Sequence, residues 1–291
     1  MDIVQKILLT LLGGFVIILI VFYLQNNSPK STLNKSPYNQ PTFLILGANN
    51  SGKTSVFYKL LDASNNRYED EPITNTSITP TVSSLEMNVK IIELPFSNTA
   101  ITKKYQLIDY PGHRKYHQLL YKLITNDITL QKIRGIVYVI DTSSISLGNS
   151  ETIEGIGKFL YEILSFTERM HNGIDFLFAL NKSDLFDSVP LHKVRTMLEA
   201  ELNKLIANEL SSINKTSGID KQDDENQEDE DNSIRGNQES LREFWLSVIG
   251  SSENNFSFDK LEGNMDFISG SVVKNKVEGW ENWFDEKAVN N

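Results

Sequence analysis

The segment LILGANNSGKTS, residues 44–55, constrains the fold of this 291-residue chain more than any other feature. An apolar run ends at Gly47, and Gly52, Lys53 and Thr54 follow with the spacing G-x-x-x-x-G-K-[ST], directly before a helical pattern. Glycines at these places let the backbone curl, so that its N–H groups and the N-terminus of the helix surround one anion. The pattern therefore predicts a strand, an anion-binding loop and a helix in immediate succession.

The residue types of this loop predict that the anion is the phosphate chain of a nucleotide. Lys53 would reach the β- and γ-phosphates, and the Thr54 hydroxyl would ligate Mg²⁺. An ordinary glycine turn before a helix would leave the lysine and the threonine in this register unexplained. The predicted nucleotide-binding residues of the loop are Gly47, Asn49, Asn50, Ser51, Gly52, Lys53, Thr54 and Ser55.

A second motif, Asn181-Lys182-x-Asp184, follows the apolar run FLFAL and predicts which base the bound nucleotide carries. A carboxylate accepts hydrogen bonds from N1–H and the exocyclic amine of guanine, whereas adenine presents no such pair of donors. Asp184 therefore favours GTP, and the stem of Lys182 would cover the base; an ATPase or a kinase is disfavoured by the same residues. In FISGSVV, after the last predicted strand, Ser271 is the candidate that closes over the base.

The segment DYPGH supplies the predicted sensor of the terminal phosphate. Asp109 would hold the magnesium through water, and the Gly112 amide would contact the γ-phosphate. His113 stands where many small GTPases carry Gln, so it is the candidate catalytic residue that orients the attacking water. In TNTSITPTVSS we choose Thr81 over Thr79 as the hydroxyl that completes the metal shell. Loss of the γ-phosphate would release the segment that contains Asp109 and Gly112.

Apolar runs alternate with helical periodicity from Pro41 onward, which predicts an α/β fold with a mainly parallel central sheet. The predicted strands are 42–46, 85–94, 105–108, 135–140, 174–180 and 265–268. The predicted helices are 53–61, 115–124, 152–170 and 191–210. A final helix carries one apolar stripe that we expect to pack on the sheet, formed by Val277, Trp280, Trp283 and Phe284.

The N-terminal part predicts a membrane anchor. Residues 7–24 form an uncharged run of 18 residues, which at about 1.5 Å per residue nearly spans the roughly 30 Å hydrocarbon core of a bilayer. The run exceeds the roughly 7 to 15 residues of a signal-peptide core. We therefore predict a transmembrane helix at 3–24, a flexible linker at 25–40 and a globular domain at 41–291.

The net charge of -10 is concentrated in one segment. Residues 220–239 contain nine acidic residues against Lys221 and Arg235. Such a segment repels itself and lacks a core, so a disordered insertion is predicted at about 214–240. The remaining domain has no basic excess, so direct nucleic-acid binding is not expected. The absence of cysteine excludes disulfides and zinc thiolates.

The chain resembles the β subunits of the signal recognition particle receptor, especially the fungal members, which are relatives of the Arf and Sar GTPases. The motifs that carry this resemblance are GANNSGKTS, TNTSIT, DYPGH, NKSD and the ending GSVVKNKVEGWENWFDEK. The resemblance spans residues 3–287, although the acidic insertion departs from it. It implies a P-loop GTPase domain that binds GTP and Mg²⁺, faces the cytosol and is held on the endoplasmic reticulum membrane by one transmembrane helix.

The resemblance also implies a partner, the α subunit of the receptor, which would be recruited in a GTP-dependent way for co-translational targeting while intrinsic hydrolysis stays slow. The translocon and the ribosome are further candidate partners. One alternative stays open, which is an Arf/Sar-like regulatory GTPase of membrane traffic that cycles independently.

Overall fold

The computed structural model describes residues 40–67, 81, 84–146, 150–168, 171–216, 241–250 and 255–290. The predicted anchor at 3–24 lies outside these residues, as does the linker at 25–40 except for Gln40. Within the described part of the chain, no helix is both long and apolar enough to cross a bilayer.

The described residues form a six-stranded sheet in the order β2-β3-β1-β4-β5-β6. The pairing of β2 with β3 is antiparallel, and every other pairing in this sheet is parallel, which confirms the predicted α/β fold with a mainly parallel sheet. The carboxyl ends of the parallel strands therefore meet at one edge, where ligands bind in such sheets. The strands are β1 Thr42–Gly47, β2 Asn88–Leu94, β3 Lys103–Asp109, β4 Ile133–Asp141, β5 Phe176–Asn181 and β6 Met265–Ser269.

Helices cover both faces of the sheet. On one face, α1 and α6 enclose a core that includes Phe43, Leu107, Val137 and Leu177. On the other face, the ring of Tyr138 on β4 stacks on Phe159 of α3, with the ring centroids 5.4 Å apart. The helices are α1 Lys53–Asn65, α2 His117–Lys122, α3 Ser150–Thr167, α4 Leu191–Thr216, α5 241–249 and α6 Glu278–Val289, with one further short helix at Thr142–Ser146.

The stripe of the last helix packs on the sheet as predicted. Val277, Trp280, Trp283 and Phe284 are each at most 3% exposed. Both indole N–H groups find acceptors on β6, since Trp280 donates to the carbonyl of Ile268 at 3.0 Å and Trp283 donates to the carboxylate of Asp266 at 2.8 Å. The indoles therefore combine apolar burial with satisfied polar ends.

The same helix holds the turn between β2 and β3. The carboxylate of Asp285 accepts hydrogen bonds from the backbone N–H of Phe96 and, at 2.8 Å, from that of Ser97. At the end of α6, the carbonyl of Ala288 accepts from Lys103 Nζ at 2.9 Å and from the Tyr105 hydroxyl at 3.2 Å. These contacts attach the antiparallel edge of the sheet to the last helix.

Several element boundaries differ from the prediction, and three of them lie next to the predicted site or the predicted insertion. The strand predicted at 85–94 begins at Asn88 because β3, its partner, ends opposite it at Asp109. The helix predicted at 115–124 starts as a 3-10 turn, Arg114–Tyr116, continues as α2 and ends in a π-helix, Leu123–Ile128. Helix α4 extends to Thr216, so the first residues of the predicted insertion are helical, and 217–240 lie outside the described residues.

Candidate functional site

The loop between β1 and α1 requires its two glycines. Gly47 has a φ of 141°, and a Cβ added there would lie 2.3 Å from the carbonyl oxygen of Val139. Gly52 has a φ of 93°, and its Cβ would lie 2.3 Å from Nδ2 of Asn181. Both angles lie in the region that side chains rarely adopt. The backbone of the loop is therefore tightly curled, which fits its predicted role as a phosphate ligand.

Lys53 lies inside this loop. Its side chain is 7% exposed, and Nζ donates to the carbonyl of Ala48 at 2.8 Å. Burial lowers the pKa of the amine, and the charge of Asp109 opposes that shift. An anion beside a buried amine restores the balance of charge, so the position of Lys53 fits a phosphate ligand.

Thr54 and Asp109 meet where a metal ion is predicted. The Thr54 hydroxyl donates to Oδ2 of Asp109 at 2.8 Å. Oδ1 of the same carboxylate is buried and has no hydrogen-bond partner. Burial raises the pKa of Asp109, against hydrogen bonds from Asn88 and Thr54 and the charge of Lys53. A buried carboxylate oxygen without a donor, beside a hydroxyl, fits the hard oxygen ligands that Mg²⁺ prefers.

The hydroxyl that contacts Thr54 belongs to a residue absent from the prediction. Ser84 Oγ lies 3.2 Å from Thr54 Oγ1, whereas the exposed hydroxyl of Thr81 lies 3.1 Å from that of Ser55. Asn88 was also missed, although its side-chain amide donates to Asp109 Oδ2 at 3.0 Å. The signal that could have found Asn88 is the antiparallel register, which places it opposite Asp109.

Asn181 joins the two predicted motifs. Its Nδ2 donates to the carbonyl of Ser51 in the phosphate loop at 2.9 Å. Its Oδ1 accepts from the backbone N–H of Val272, in the loop after β6, at 3.3 Å. The side chain therefore holds the phosphate loop and the last loop at a set distance, between which a base would lie.

Lys182 is held beside the phosphate loop. Its Nζ donates to the carbonyl of Asn50 at 3.0 Å and to Oδ2 of Asp141 at 2.5 Å. Burial alone would raise the pKa of Asp141, but hydrogen bonds from Lys182 and Ser143 outweigh it, and the pKa lies below its ordinary value. Asp141 thus stays ionised and fixes the ammonium, so that the lysine stem keeps one orientation.

The other two residues predicted to contact the base, Asp184 and Ser271, follow β5 and β6 at the carboxyl edge of the sheet. Asp184 is exposed on the turn after β5, where a ligand can reach it. Ser271 is buried, and its hydroxyl accepts from the backbone N–H of Lys274 at 3.2 Å. The carbonyl of Gly270 accepts from the Ser183 hydroxyl at 2.8 Å, which links the two loops directly.

Gly112 and His113, the two predicted site residues after Asp109, lie in different surroundings. Gly112 lies against the phosphate loop, since a Cβ there would meet both the Gly47 carbonyl oxygen and Lys53 Nζ at 2.5 Å. His113, by contrast, is exposed, and its Nδ1 accepts from the backbone N–H of Lys115 at 3.2 Å, so the imidazole caps its own turn. The structure therefore places the predicted sensor beside the loop but places the predicted catalytic imidazole on the turn beyond it.

Two cavities border the phosphate loop within the described residues. The smaller, about 200 Å³, is lined by Lys53, Thr54, Thr81, Ser84 and Gly112, among others. The larger, about 450 Å³, lies between the loop, the turn after Gly112 and α3, and its lining includes Arg114 and His117. His113 lines neither cavity.

Comparisons with known proteins identify relatives of this chain. The family model of the signal recognition particle receptor beta subunit matches residues 38–265. The receptor's β subunit from Saccharomyces cerevisiae is 31% identical over 265 residues, which cover 90% of each chain. The mouse β subunit is 29% identical over 166 residues, which cover 57% of this chain and 52% of the mouse protein.

Solved structures share the fold. The mammalian receptor structure has a TM-score of 0.58 at 21% identity and covers 84% of this chain and 99% of that one. A complex of the Chaetomium thermophilum protein, described as SRb-GTP/SRX, has a TM-score of 0.57 at 19% identity and covers 85% and 98%. The same fungal protein with GDP and Mg has a TM-score of 0.52 at 21% identity and covers 85% and 97%.

Proposed function

The chain belongs to the family of signal recognition particle receptor β subunits, and on this premise we propose that it is the GTP-binding subunit that recruits the α subunit to the endoplasmic reticulum membrane. Recruitment depends on bound GTP and serves co-translational protein targeting. The alternative, an independently cycling Arf/Sar-like GTPase, shares the nucleotide site but does not require a receptor partner.

The observation that carries the proposal is the bridge made by Asn181. One side chain binds the phosphate loop at Ser51 and the last loop at Val272. The phosphate motif and the base motif therefore form one site, rather than two unrelated turns. Asp184 at that edge selects guanine, because its carboxylate accepts from the two donors that only guanine offers.

The residues of the site have distinct roles toward the nucleotide. The loop N–H groups and Lys53 hold the phosphates, while Asn181, Lys182 and Ser271 shape the base pocket. Thr54 and Asp109 would hold Mg²⁺, with Thr81 as the predicted third contact. Mg²⁺ bound there neutralises charge on the β- and γ-phosphates.

The position of Gly112 supports a nucleotide-sensing switch. The glycine contacts the phosphate loop at Gly47 and Lys53, so a γ-phosphate bound by Lys53 would meet the backbone of Gly112. The turn and α2 follow within a few residues, and their exposed side chains would change position with the nucleotide. The GTP/SRX complex of the Chaetomium protein supports a partner that binds the GTP form.

Hydrolysis is slow in this proposal. His113 caps its turn through Nδ1, so it must leave that turn to orient water at the γ-phosphate. A GTPase that lacks a positioned stabilising group is slower by a factor of about 10³ to 10⁵. A long-lived GTP state suits a recruiter better than a rapidly cycling enzyme.

The membrane part of the proposal rests on the uncharged run at residues 7–24. A helix of this length would cross the bilayer once. GTP is cytosolic, so the domain lies on the cytosolic side, tethered by the linker at 25–40. The translocon and the ribosome then lie within reach as further candidate partners.

Nucleotide competition and partner capture test the proposal together. The full chain, in mild detergent with Mg²⁺, should bind fluorescent GTP, and unlabelled GTP but not ATP should displace it. The α subunit should be retained by the GTP-loaded chain and lost from the GDP-loaded chain. Equal displacement by ATP would reject guanine selection, and equal capture in both states would reject the switch.

A single-turnover assay separates the recruiter from the cycling enzyme. Preloaded GTP should persist in the full chain for many minutes without a partner. Rapid hydrolysis without any partner, combined with no retention of the α subunit, would favour the Arf/Sar-like alternative.

A further inference from the structure

Four side chains beside the predicted metal site form a closed ring of hydrogen bonds, which we call the polar ring. Thr54 contacts Asp109 Oδ2 at 2.8 Å and Ser84 at 3.2 Å. Asn88 contacts the same Asp109 oxygen at 3.0 Å and Ser84 at 3.4 Å. The ring therefore joins the start of α1, the end of β3 and the start of β2.

The donors of the polar ring can be assigned from their chemistry. A hydroxyl has one hydrogen, and Thr54 uses it toward the carboxylate, which cannot donate when ionised. The Thr54 oxygen therefore accepts from the Ser84 hydroxyl. Ser84 in turn accepts from Asn88, whose amide has two hydrogens, one for Ser84 and one for Asp109.

We propose that Asn88 is a positioning residue that orients the Asp109 carboxylate for the metal, and that the polar ring couples metal binding to the start of β2. The inference rests on the proposed function, because the metal accompanies the nucleotide. It assigns to Asn88 and Ser84 a role that motif spacing did not indicate.

The geometry of Asp109 carries the first step. Its Oδ2 receives both donors, Thr54 and Asn88, while Oδ1 is buried without a partner. Asn88 and Asp109 face each other in the register of β2 and β3, so the backbone holds the two side chains together. Two donors on one oxygen fix the carboxylate plane, and the other oxygen stays available to a metal-bound water.

The Thr54 oxygen carries the second step. If Thr54 ligated a metal ion, the ion would take the second lone pair of the hydroxyl oxygen and withdraw electron density from it, so the hydrogen bond that this oxygen accepts from Ser84 would weaken. Metal binding would therefore loosen the contact of Ser84, the residue four positions before Asn88 in the chain. In this way the segment that leads into β2 would make different contacts when the site holds a metal ion and when it does not.

Mg²⁺ titration of nucleotide release tests the two residues with opposite expectations. The full chain in mild detergent is loaded with a fluorescent GDP, and its release is followed over a range of Mg²⁺ concentrations and in EDTA. Asn88→Leu, similar in size but without donors, should raise the half-effective Mg²⁺ concentration about tenfold, as expected from loss of a hydrogen bond to a charged group. Its release rate in EDTA should match the wild-type rate.

Ser84→Ala removes the hydroxyl that donates to the Thr54 oxygen, so its half-effective Mg²⁺ concentration should be below that of the wild type, and a raised midpoint would contradict the coupling. Lys90→Ala, an exposed change two residues along β2, is the matched control and should have no effect. An unchanged Mg²⁺ midpoint in Asn88→Leu, or an equal change of release in EDTA, would overturn the inference while leaving the proposed function intact.

A wild-type chain that bound no guanine nucleotide would overturn both. If Asn88→Leu does not fold, the side-chain amide signal of Asn88 in the NMR spectrum of the wild-type GDP complex gives a second measurement. Addition of Mg²⁺ should shift that signal, and an amide signal indifferent to Mg²⁺ would contradict the inference.

Discussion

Asn181 donates its side-chain amide to the carbonyl of Ser51 at 2.9 Å, although 130 residues separate them in the chain. The asparagine is 4% exposed, so water cannot replace this bond. The same side chain accepts from Val272, which fixes its orientation. Asn181 therefore ties the phosphate loop to the last loop of the predicted nucleotide site.

Asn181→Leu should weaken both the fold and the site. The change leaves the Ser51 carbonyl and the Val272 N–H without partners. Each such unsatisfied buried group lowers the free energy of unfolding by about 1–3 kcal/mol. We expect the free energy of unfolding, measured in urea, to fall by about 2–4 kcal/mol, and GTP affinity to fall at least about tenfold.

The control for this change is Asn255→Ala, which alters an exposed asparagine and should leave both quantities unchanged. A loss of stability with full GTP affinity would contradict the assignment of Asn181 to the nucleotide site.

Asp184→Asn should reduce selection of guanine. The amide keeps one acceptor but loses the charge that receives the two guanine donors, and hydrogen bonds to charged groups contribute about 1.5–3 kcal/mol. GTP affinity in a competition assay should fall about 10- to 100-fold, while the weak binding of ATP stays as it is.

Asp187→Asn, an equally exposed change three residues later, is the matched control. Equal losses in the two variants would indicate a general effect of loop charge instead of contact with the base.

Asp285→Ala should destabilise the domain through the turn between β2 and β3. The carboxylate accepts from the backbone N–H groups of Phe96 and Ser97. Because these bonds are charge-assisted, their loss should cost about 2–4 kcal/mol in the free energy of unfolding. Glu286→Ala, at the exposed neighbouring position, should cost less than about 0.5 kcal/mol.

His117 should make part of the stability pH-dependent. Its ring packs on Phe159 with the centroids 4.8 Å apart. Burial lowers its pKa below the ordinary value of 6.5, assisted by Arg114 and His113 and opposed by Glu162. Below pH 6.5 the unfolded chain binds a proton that the folded chain binds less readily, so stability falls as the pH is lowered.

Thermal melts between pH 7 and pH 5 measure this effect. His117→Gln should lose less stability over that range than the wild type, whereas His192→Gln, at an exposed position, should behave as the wild type does. Identical pH profiles in all three proteins would exclude His117 as a contributor.

Motif spacing was sufficient for the parts of the site that lie on consecutive residues. Gly47, Gly52 and Lys53 act through local backbone geometry, so the order of residue types predicts their placement. The central strands β1, β4 and β5 were also recognisable, because their apolar runs are buried on both faces. The strand ends were less accurate, since Asn88 starts β2 only because Asp109 ends β3.

Contacts between distant segments could not be predicted from the sequence pattern. Ser84 is one of several hydroxyl residues in its segment, and only the fold brings it to Thr54. Asp285 looks like an ordinary surface carboxylate of a helix until the β2–β3 turn is placed against it. His113 and Arg114 are neighbours in the sequence, but the turn places only Arg114 at a cavity beside the phosphate loop.

The placement of α6 makes completion of the fold a late event in biosynthesis. Phe43 is among the first residues of the domain to be translated, yet its ring packs against Trp283 and Phe284, with the ring centroids 6.1 and 4.8 Å away. Domains fold as units during synthesis, from the N-terminus onward. Here the early strands cannot complete this core until residues 278–289 have been synthesised, so we expect the nascent domain to expose the apolar face that α6 covers until then.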